Sequence, residues 1–208
     1  MTALPVWAIS AAGVTAYSSQ VDRAVAYILS KAQPDGGIYV PDPRRGGAGL
    51  GNYNTSLCMM GLHATGRKDV IRVIQKARDY TASTQLVGDD HHAGGFGYDK
   101  GGRRHTDLNN TGMAIDAMRR TQDVEDLRPS GERRADLKYV ENMQRKEGED
   151  KGGFLYTQSF EPGGIPAPKK GQDGAGAAST RPQLRAYGSI TYVGLLAMIH
   201  SKLTRDDP

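Results

Sequence analysis

Cysteine is almost absent from this 208-residue chain, in which Cys58 is the single example. One thiol excludes an internal disulfide framework and any zinc site built from several cysteines, and it leaves the redox compartment undetermined. Cys58 lies in the apolar run Ser-Leu-Cys-Met-Met, a context typical of a small buried hydrophobe rather than a reactive thiol.

Long hydrophobic runs are also missing, since no stretch reaches the about 18 apolar residues of a membrane-spanning helix. The N-terminus lacks the Lys or Arg of a signal peptide, and Pro5 and Ser10 interrupt its apolar run, so we expect no signal peptide. The compartment, whether cytoplasmic, periplasmic or secreted, stays open. The formal net charge is only +4, and the basic pairs are scattered rather than aligned, which argues against a nucleic-acid surface.

Glycine, by contrast, is abundant, and it recurs in a pattern. Glycine pairs begin at Gly36, Gly94 and Gly152, which are 58 residues apart in each step. A fixed period of this size indicates a repeat architecture.

Each repeat reads as a nearly all-apolar helix followed by an amphipathic one. A threonine stands at the head of each apolar helix: Thr2, Thr55, Thr111 and Thr191. Six residues after each of them is a small residue that would let helices approach closely: Ala8, Gly61, Ala117 and Ala197. A helix that is apolar all round must be covered on both sides, whereas an amphipathic one faces water. The pattern predicts an all-α fold of about three and a half helical hairpins, with apolar helices inside and amphipathic helices outside.

Local signals predict where these helices begin and end. Asn54 or Thr55 is the expected cap of the second apolar helix, Ser19 opens a capping-box-like start, and Ser130 is a further expected cap. Residues 161–185 read as a flexible Gly/Pro-rich loop within a single domain spanning 1–208. Both ends read as incomplete, so we expect the end hairpins to expose apolar faces and to promote self-association.

The motifs resemble a known family. Tyr-x₄-Gln followed by Gly-Gly-aromatic is similar to the QW-type repeat of squalene cyclases and prenyltransferase β subunits. The segments Gly94–Tyr98, Asp107–Thr111 and Ala186–Tyr192 resemble bacterial prenyltransferase and squalene-oxidase repeat proteins. The likeness covers nearly the whole chain and implies an α/α toroid, here an open arc, whose inner helices line a cavity for an isoprenoid chain.

The acid motif of this family is altered here. Squalene–hopene-type cyclases protonate an alkene with Asp-x-Asp-Asp followed by Thr, and the matching residues are Asp107, Leu108, Asn109 and Asn110, followed by Thr111. The proton-donating aspartate falls on Asn109, and an amide does not titrate. Asp107 is the remaining catalytic candidate, with capping of a helix N-terminus as the alternative interpretation.

The resemblance also suggests which residues would line the isoprenoid cavity: Tyr98, Asn109, Asn110, Met113 and Tyr192. Phe96 and Phe154, in contrast, read as packing residues of the hairpin junctions. We expect no metal and no cofactor. Cys58 lacks the acidic residue two positions earlier that prenyltransferases use for zinc, and the consecutive residues 89–92 (Asp-Asp-His-His) rarely converge on one ion.

The resemblance leaves two functions open, beside a third interpretation in which the chain is a fragment of a repeat array with no activity of its own. One is a squalene cyclase-like isomerase or a prenyltransferase-like transferase acting on a long isoprenoid, with peripheral contact to a membrane. The other is a non-catalytic toroid that binds a lipid or a protein partner, which the altered acid motif and the missing zinc ligands favour.

Overall fold

The structure, a computed structural model, describes residues 2–41, 47–100, 105–124, 133–158 and 184–200. These residues form seven α-helices and no β-strand, which confirms the predicted all-α fold. The helices are α1 (Ala3–Ala11), α2 (Ser18–Leu29), α3 (Gly51–Ala64), α4 (Ile71–Ser83), α5 (Leu108–Arg120), α6 (Arg133–Met143) and α7 (Gly188–His200). Short 3₁₀ turns precede α2 and α4 and follow α5. None of these seven helices is long and apolar enough to cross a bilayer.

The odd-numbered helices pack against one another in chain order. Helix α3 contacts α1 and α5, and α5 contacts α7. Each even-numbered helix packs against the odd-numbered helix before it, and α6 also contacts α7. The described chain is therefore three helical hairpins followed by a seventh helix.

Two hydrophobic clusters lie between these helices. The first is formed mainly by α1 to α4, with Ile38 and Ala117 added, and the second by α5 to α7 with Phe96 and Phe154. Both phenylalanines are buried where one hairpin meets the next, as expected from the sequence.

The glycine pairs make the same turn three times. The first glycine of each pair has a positive φ, +94° at Gly36, +84° at Gly94 and +86° at Gly152, a conformation that other residues rarely adopt. Isolated β-bridges then join the end of each even-numbered helix to the residue after the pair, Ala32 to Ile38, Gln85 to Phe96 and Gln144 to Phe154. We call these three turns the glycine junctions.

Each glycine junction is bonded to the odd-numbered helix that follows it. The N–H of Ile38 donates to the hydroxyl of Thr55 at 2.9 Å, and the N–H of Phe96 donates to Thr111 at 3.0 Å. The N–H of Phe154 donates to Thr191, also at 3.0 Å. The recurring threonines therefore attach each junction to the next helix.

The first turns of α3 and α5 are bonded forward to the next junction. The N–H of Asn52 donates to the carbonyl of Tyr98 at 2.9 Å, and that of Leu108 donates to the carbonyl of Tyr156 at 2.8 Å. These N–H groups have no partner inside their own helix, so the junction supplies the acceptor.

Two predicted helix starts differ from the structure. Helix α3 begins at Gly51, so neither Asn54 nor Thr55 caps it, and no side chain does so. Helix α2 begins at Ser18 without a side-chain cap, so Ser19 lies inside its first turn, where its hydroxyl donates to Gln20. Ser130, most of the loop at 161–185 and residues 201–208 lie outside the described residues.

The end helices α1 and α7 expose large apolar side chains, as expected from the sequence for the ends of the array. Each of these helices has only one odd-numbered neighbour among the described residues, so one side of it stays uncovered.

Candidate functional site

Asp107 is fully buried at the start of α5, where its Oδ1 accepts the backbone N–H of Asn110 at 2.7 Å. A carboxylate at this position satisfies a free N–H and interacts favourably with the positive end of the helix dipole. The capping interpretation of Asp107 is confirmed.

The second carboxylate oxygen of Asp107 is also occupied. Oδ2 accepts the phenolic hydroxyl of Tyr98, whose oxygen lies 3.4 Å from that of Tyr156. The Tyr98 ring stacks on His105, with 5.4 Å between ring centroids. Asp107 therefore joins the start of α5 to side chains from the second and third glycine junctions.

The phenols around Asp107 are held in their neutral form. Burial, followed by the negative charge of Asp107, raises the pKa of Tyr156 to about 12 and raises the pKa of Tyr98 further. The same two causes raise the pKa of Tyr187. These hydroxyls are therefore protonated hydrogen-bond donors at neutral pH.

Asn110 is buried beside Asp107 and uses its amide in the junction. Its Nδ2 donates to the carbonyls of Phe96 at 3.1 Å and Gly97 at 2.8 Å. The Oδ1 is buried without a hydrogen-bond partner among the described residues. Asn109, the residue in the place of the family's proton donor, is half-buried on α5.

The structure brings together only part of the predicted site. Tyr98, Asp107 and Asn110 form one hydrogen-bonded group at the start of α5. Met113 instead packs against the first hydrophobic cluster, and Tyr192 lies exposed on α7.

A second group of interacting side chains was missed at the sequence level. Asp116 is buried on α5 and pairs with Arg120 at 2.6 Å, while Nε2 of His200 on α7 lies 2.8 Å from the same carboxylate oxygen. The Arg120 guanidinium lies over the ring of Trp7 on α1, 4.9 Å from its centroid. Only the i, i+4 spacing of Asp116 and Arg120 could have been recognised, because the other two residues are distant in sequence.

A hollow of about 610 Å³ opens at the third glycine junction, between the turn at 145–148 and Leu155, Gln158 and Leu184. Charged side chains form much of its rim, and none of the predicted cavity residues lines it. It therefore does not correspond to the expected isoprenoid cavity.

The described residues contain no group of three or more His, Cys, Asp or Glu side chains placed to hold a metal ion. His91 and His92 stack on each other, and Nδ1 of His92 lies 2.9 Å from the Thr106 hydroxyl. Cys58 is half-buried in α3, and burial raises the pKa of its thiol to about 12, so the unreactive protonated form prevails at neutral pH.

Comparison of the chain with protein-family models, and with curated proteins, found no match. The resemblance to cyclases and prenyltransferases therefore rests on the motifs themselves.

Proposed function

We propose that this chain is a non-catalytic repeat domain of the α/α-toroid type, which holds a long apolar ligand of the isoprenoid class against its odd-numbered helices. The observation that carries the non-catalytic part is the environment of Asp107. Both of its oxygens already accept hydrogen bonds, and the residue has no exposed surface.

Alkene protonation needs an acid that can reach the substrate and release a proton to it. Asp107 is buried, accepts the Tyr98 hydroxyl and caps α5, so a substrate cannot reach it. Its neighbours Asn109 and Asn110 carry amides, which do not titrate. Asp107 and Asn110 therefore support the junction rather than proton transfer.

Contacts among the odd-numbered helices support a curved arrangement. Trp7 of α1 and Arg120 of α5 touch although α3 lies between their helices in the packing order. Such a contact over an intervening helix is what a row bent toward that side would produce. Half-buried apolar side chains on these helices, including Trp7, Tyr53 and Leu196, could contact an apolar chain there.

Binding can be followed through Trp7, the single tryptophan. Squalene and geranylgeraniol are the probes, and the proposal expects a saturable change of Trp7 emission without consumption of either compound. Leu196→Gln should weaken binding about five- to thirty-fold, which corresponds to losing about 1–2 kcal/mol of apolar contact. Tyr27→Gln, on the exposed face of α2, is the matched control and should bind as the original chain does.

The role of Asp107 is tested by two substitutions. Asn caps helices as well as Asp, so Asp107→Asn should keep the fold and the ligand affinity while it weakens the bond to Tyr98. Asp107→Ala loses both acceptors and should cost more, about 1 kcal/mol of stability or above. Turnover of squalene or an allylic diphosphate that disappears in Asp107→Asn would establish an enzyme instead. Absence of saturable binding by either probe would remove the ligand part of the proposal.

A further inference from the structure

The four odd-numbered helices can be compared position by position, because each carries a threonine at the same place in the repeat. Counting from Thr2, Thr55, Thr111 and Thr191, the residues one and four places on are Ala3 and Val6, Ser56 and Met59, Gly112 and Ile115, and Tyr192 and Leu195. In the first three helices both positions are buried. In α7 they are 69% and 48% exposed.

The first of these positions faces the next odd-numbered helix, and the second lies three residues further on the same side of the helix. A Cβ placed on Gly61 of α3 would lie 2.9 Å from the Ala3 carbonyl oxygen of α1. A Cβ placed on Gly112 of α5 would lie 2.3 Å from Val193 of α7. The exposed residues of α7, with Ile199 one turn further, therefore form the face on which a following helix would pack. We call this the forward face.

The opposite face shows the complementary pattern. The residues two and six places after the threonine face the preceding helix: Leu57 and Gly61, Met113 and Ala117, and Val193 and Ala197. The residues at the sixth place are all buried. The same places in α1 hold Leu4 and Ala8, and both are exposed. We call this the backward face of α1.

We propose that the forward face of α7 docks on the backward face of α1 in a second copy of this chain. The two faces are the two halves of an interface that the molecule already makes three times, between α1 and α3, α3 and α5, and α5 and α7. Both uncovered halves are apolar, with Tyr192, Leu195 and Ile199 on one side and Leu4 and Ala8 on the other. The small Ala8 leaves room for the larger Tyr192.

This contact is head-to-tail, so copies would form a ring or an open chain rather than a dimer with one shared patch. The inference depends on the packing order of the odd-numbered helices and not on ligand binding. It can therefore fail while the proposed function stands, and the reverse also holds.

Sedimentation velocity and light scattering of the full chain test the inference without ligand. The average mass should rise above 22.4 kDa with protein concentration. Leu195→Glu, on the forward face, and Leu4→Glu, on the backward face, should each give a monomer. Val87→Glu, at an exposed apolar residue in the loop after α4, is the matched control and should associate like the original chain.

Mixing the two blocked variants gives the decisive result. Each retains one intact face, so an equimolar mixture should form a species of twice the monomer mass and nothing larger. A monomeric original chain, association that survives Leu4→Glu, or a mixture that stays monomeric would each overturn the inference. Circular dichroism checks folding, and Leu4→Ser and Leu195→Ser replace any variant that unfolds.

Discussion

Removal of one threonine hydroxyl tests the bonding of the glycine junctions most directly. Thr55 is fully buried in α3, and its Oγ1 accepts the N–H of Ile38 at 2.9 Å, with Ile38 itself 1% exposed. Valine has nearly the shape of threonine but no oxygen, so Thr55→Val leaves this N–H buried without its acceptor.

The cost follows from the burial of both groups. A buried donor left unsatisfied costs about 1–3 kcal/mol, whereas an exposed one would recover most of this from water. For a domain of this size each kcal/mol lowers the unfolding temperature by about 2–4 °C. We therefore expect Thr55→Val to lower the free energy of unfolding by about 1–3 kcal/mol.

Chemical denaturation measures the loss, and amide exchange locates it. The Ile38 N–H should exchange faster in Thr55→Val than the general loss of stability accounts for. Thr55→Ser keeps the hydroxyl and loses only a methyl group, so it should preserve the protection of Ile38 even though it also loses some stability. Unchanged exchange at Ile38 in Thr55→Val would refute the bonding role of the threonine.

Three further outcomes are expected. Gly36→Ala should destabilise the chain more than Gly13→Ala: both glycines have positive φ, but only a Cβ at position 36 would clash, 2.5 Å from the backbone oxygen of Lys76. Equal free energies of unfolding for the two variants would contradict this. Between about pH 10 and pH 12 the free energy of unfolding should fall as pH rises, because folded Tyr156, with its pKa of about 12, holds a proton that the unfolded chain has lost. This contribution to stability is fully present below about pH 10, and a flat denaturation profile between about pH 10 and pH 12 would contradict it. Cys58 should react slowly with a thiol reagent at pH 8 and rapidly in urea, and equal rates would show that its raised pKa and partial burial do not protect it.

The helical character of the chain could be predicted from sequence because periodicity and glycine placement are local signals. Gly13 and Gly66, both with positive φ, follow α1 and α3 where the sequence predicts their ends. Capping by Asp107 was foreseen as one of two interpretations, since an acidic residue ahead of an apolar helix has a short-range meaning.

The start of α3 could not be predicted by the same rules. The first N–H groups of α3 are satisfied partly by the Tyr98 carbonyl, which comes from a junction 46 residues later in the chain. With that acceptor in place no side-chain cap is needed, so the helix begins at Gly51 and the hydroxyl of Thr55 is free to bond Ile38. Capping rules consider only residues that are close in sequence, so they do not predict an acceptor that comes from another repeat.

The candidate site could also be predicted only in part, where its residues are close in sequence. Tyr98, Asp107 and Asn110 lie within 13 residues, and the structure brings them together. Trp7 and His200 lie near opposite ends of the described chain and reach Arg120 and Asp116 only because the odd-numbered helices pack side by side. Neither the residue types nor their spacing in the sequence predict these two contacts.

The glycine pair combines two separate requirements, which explains its association with the tyrosine of the even-numbered helices. The first glycine supplies the positive φ of the turn. The second lies against aromatic rings: a Cβ on Gly95 would lie 2.6 Å from Tyr139 of the following hairpin, and one on Gly37 would lie 2.4 Å from Tyr39 and 3.0 Å from Tyr80 of the following hairpin.

Helix α2 shows the converse of this arrangement. Ile28 occupies the place of Tyr80 and Tyr139, five residues before the glutamine, and it is buried in the first hydrophobic cluster. Among the described residues, α2 follows α1 and a 3₁₀ turn and not a glycine junction. The tyrosine ring therefore packs on the junction that precedes its own hairpin, so each sequence repeat supplies a side chain that completes the packing of the repeat before it.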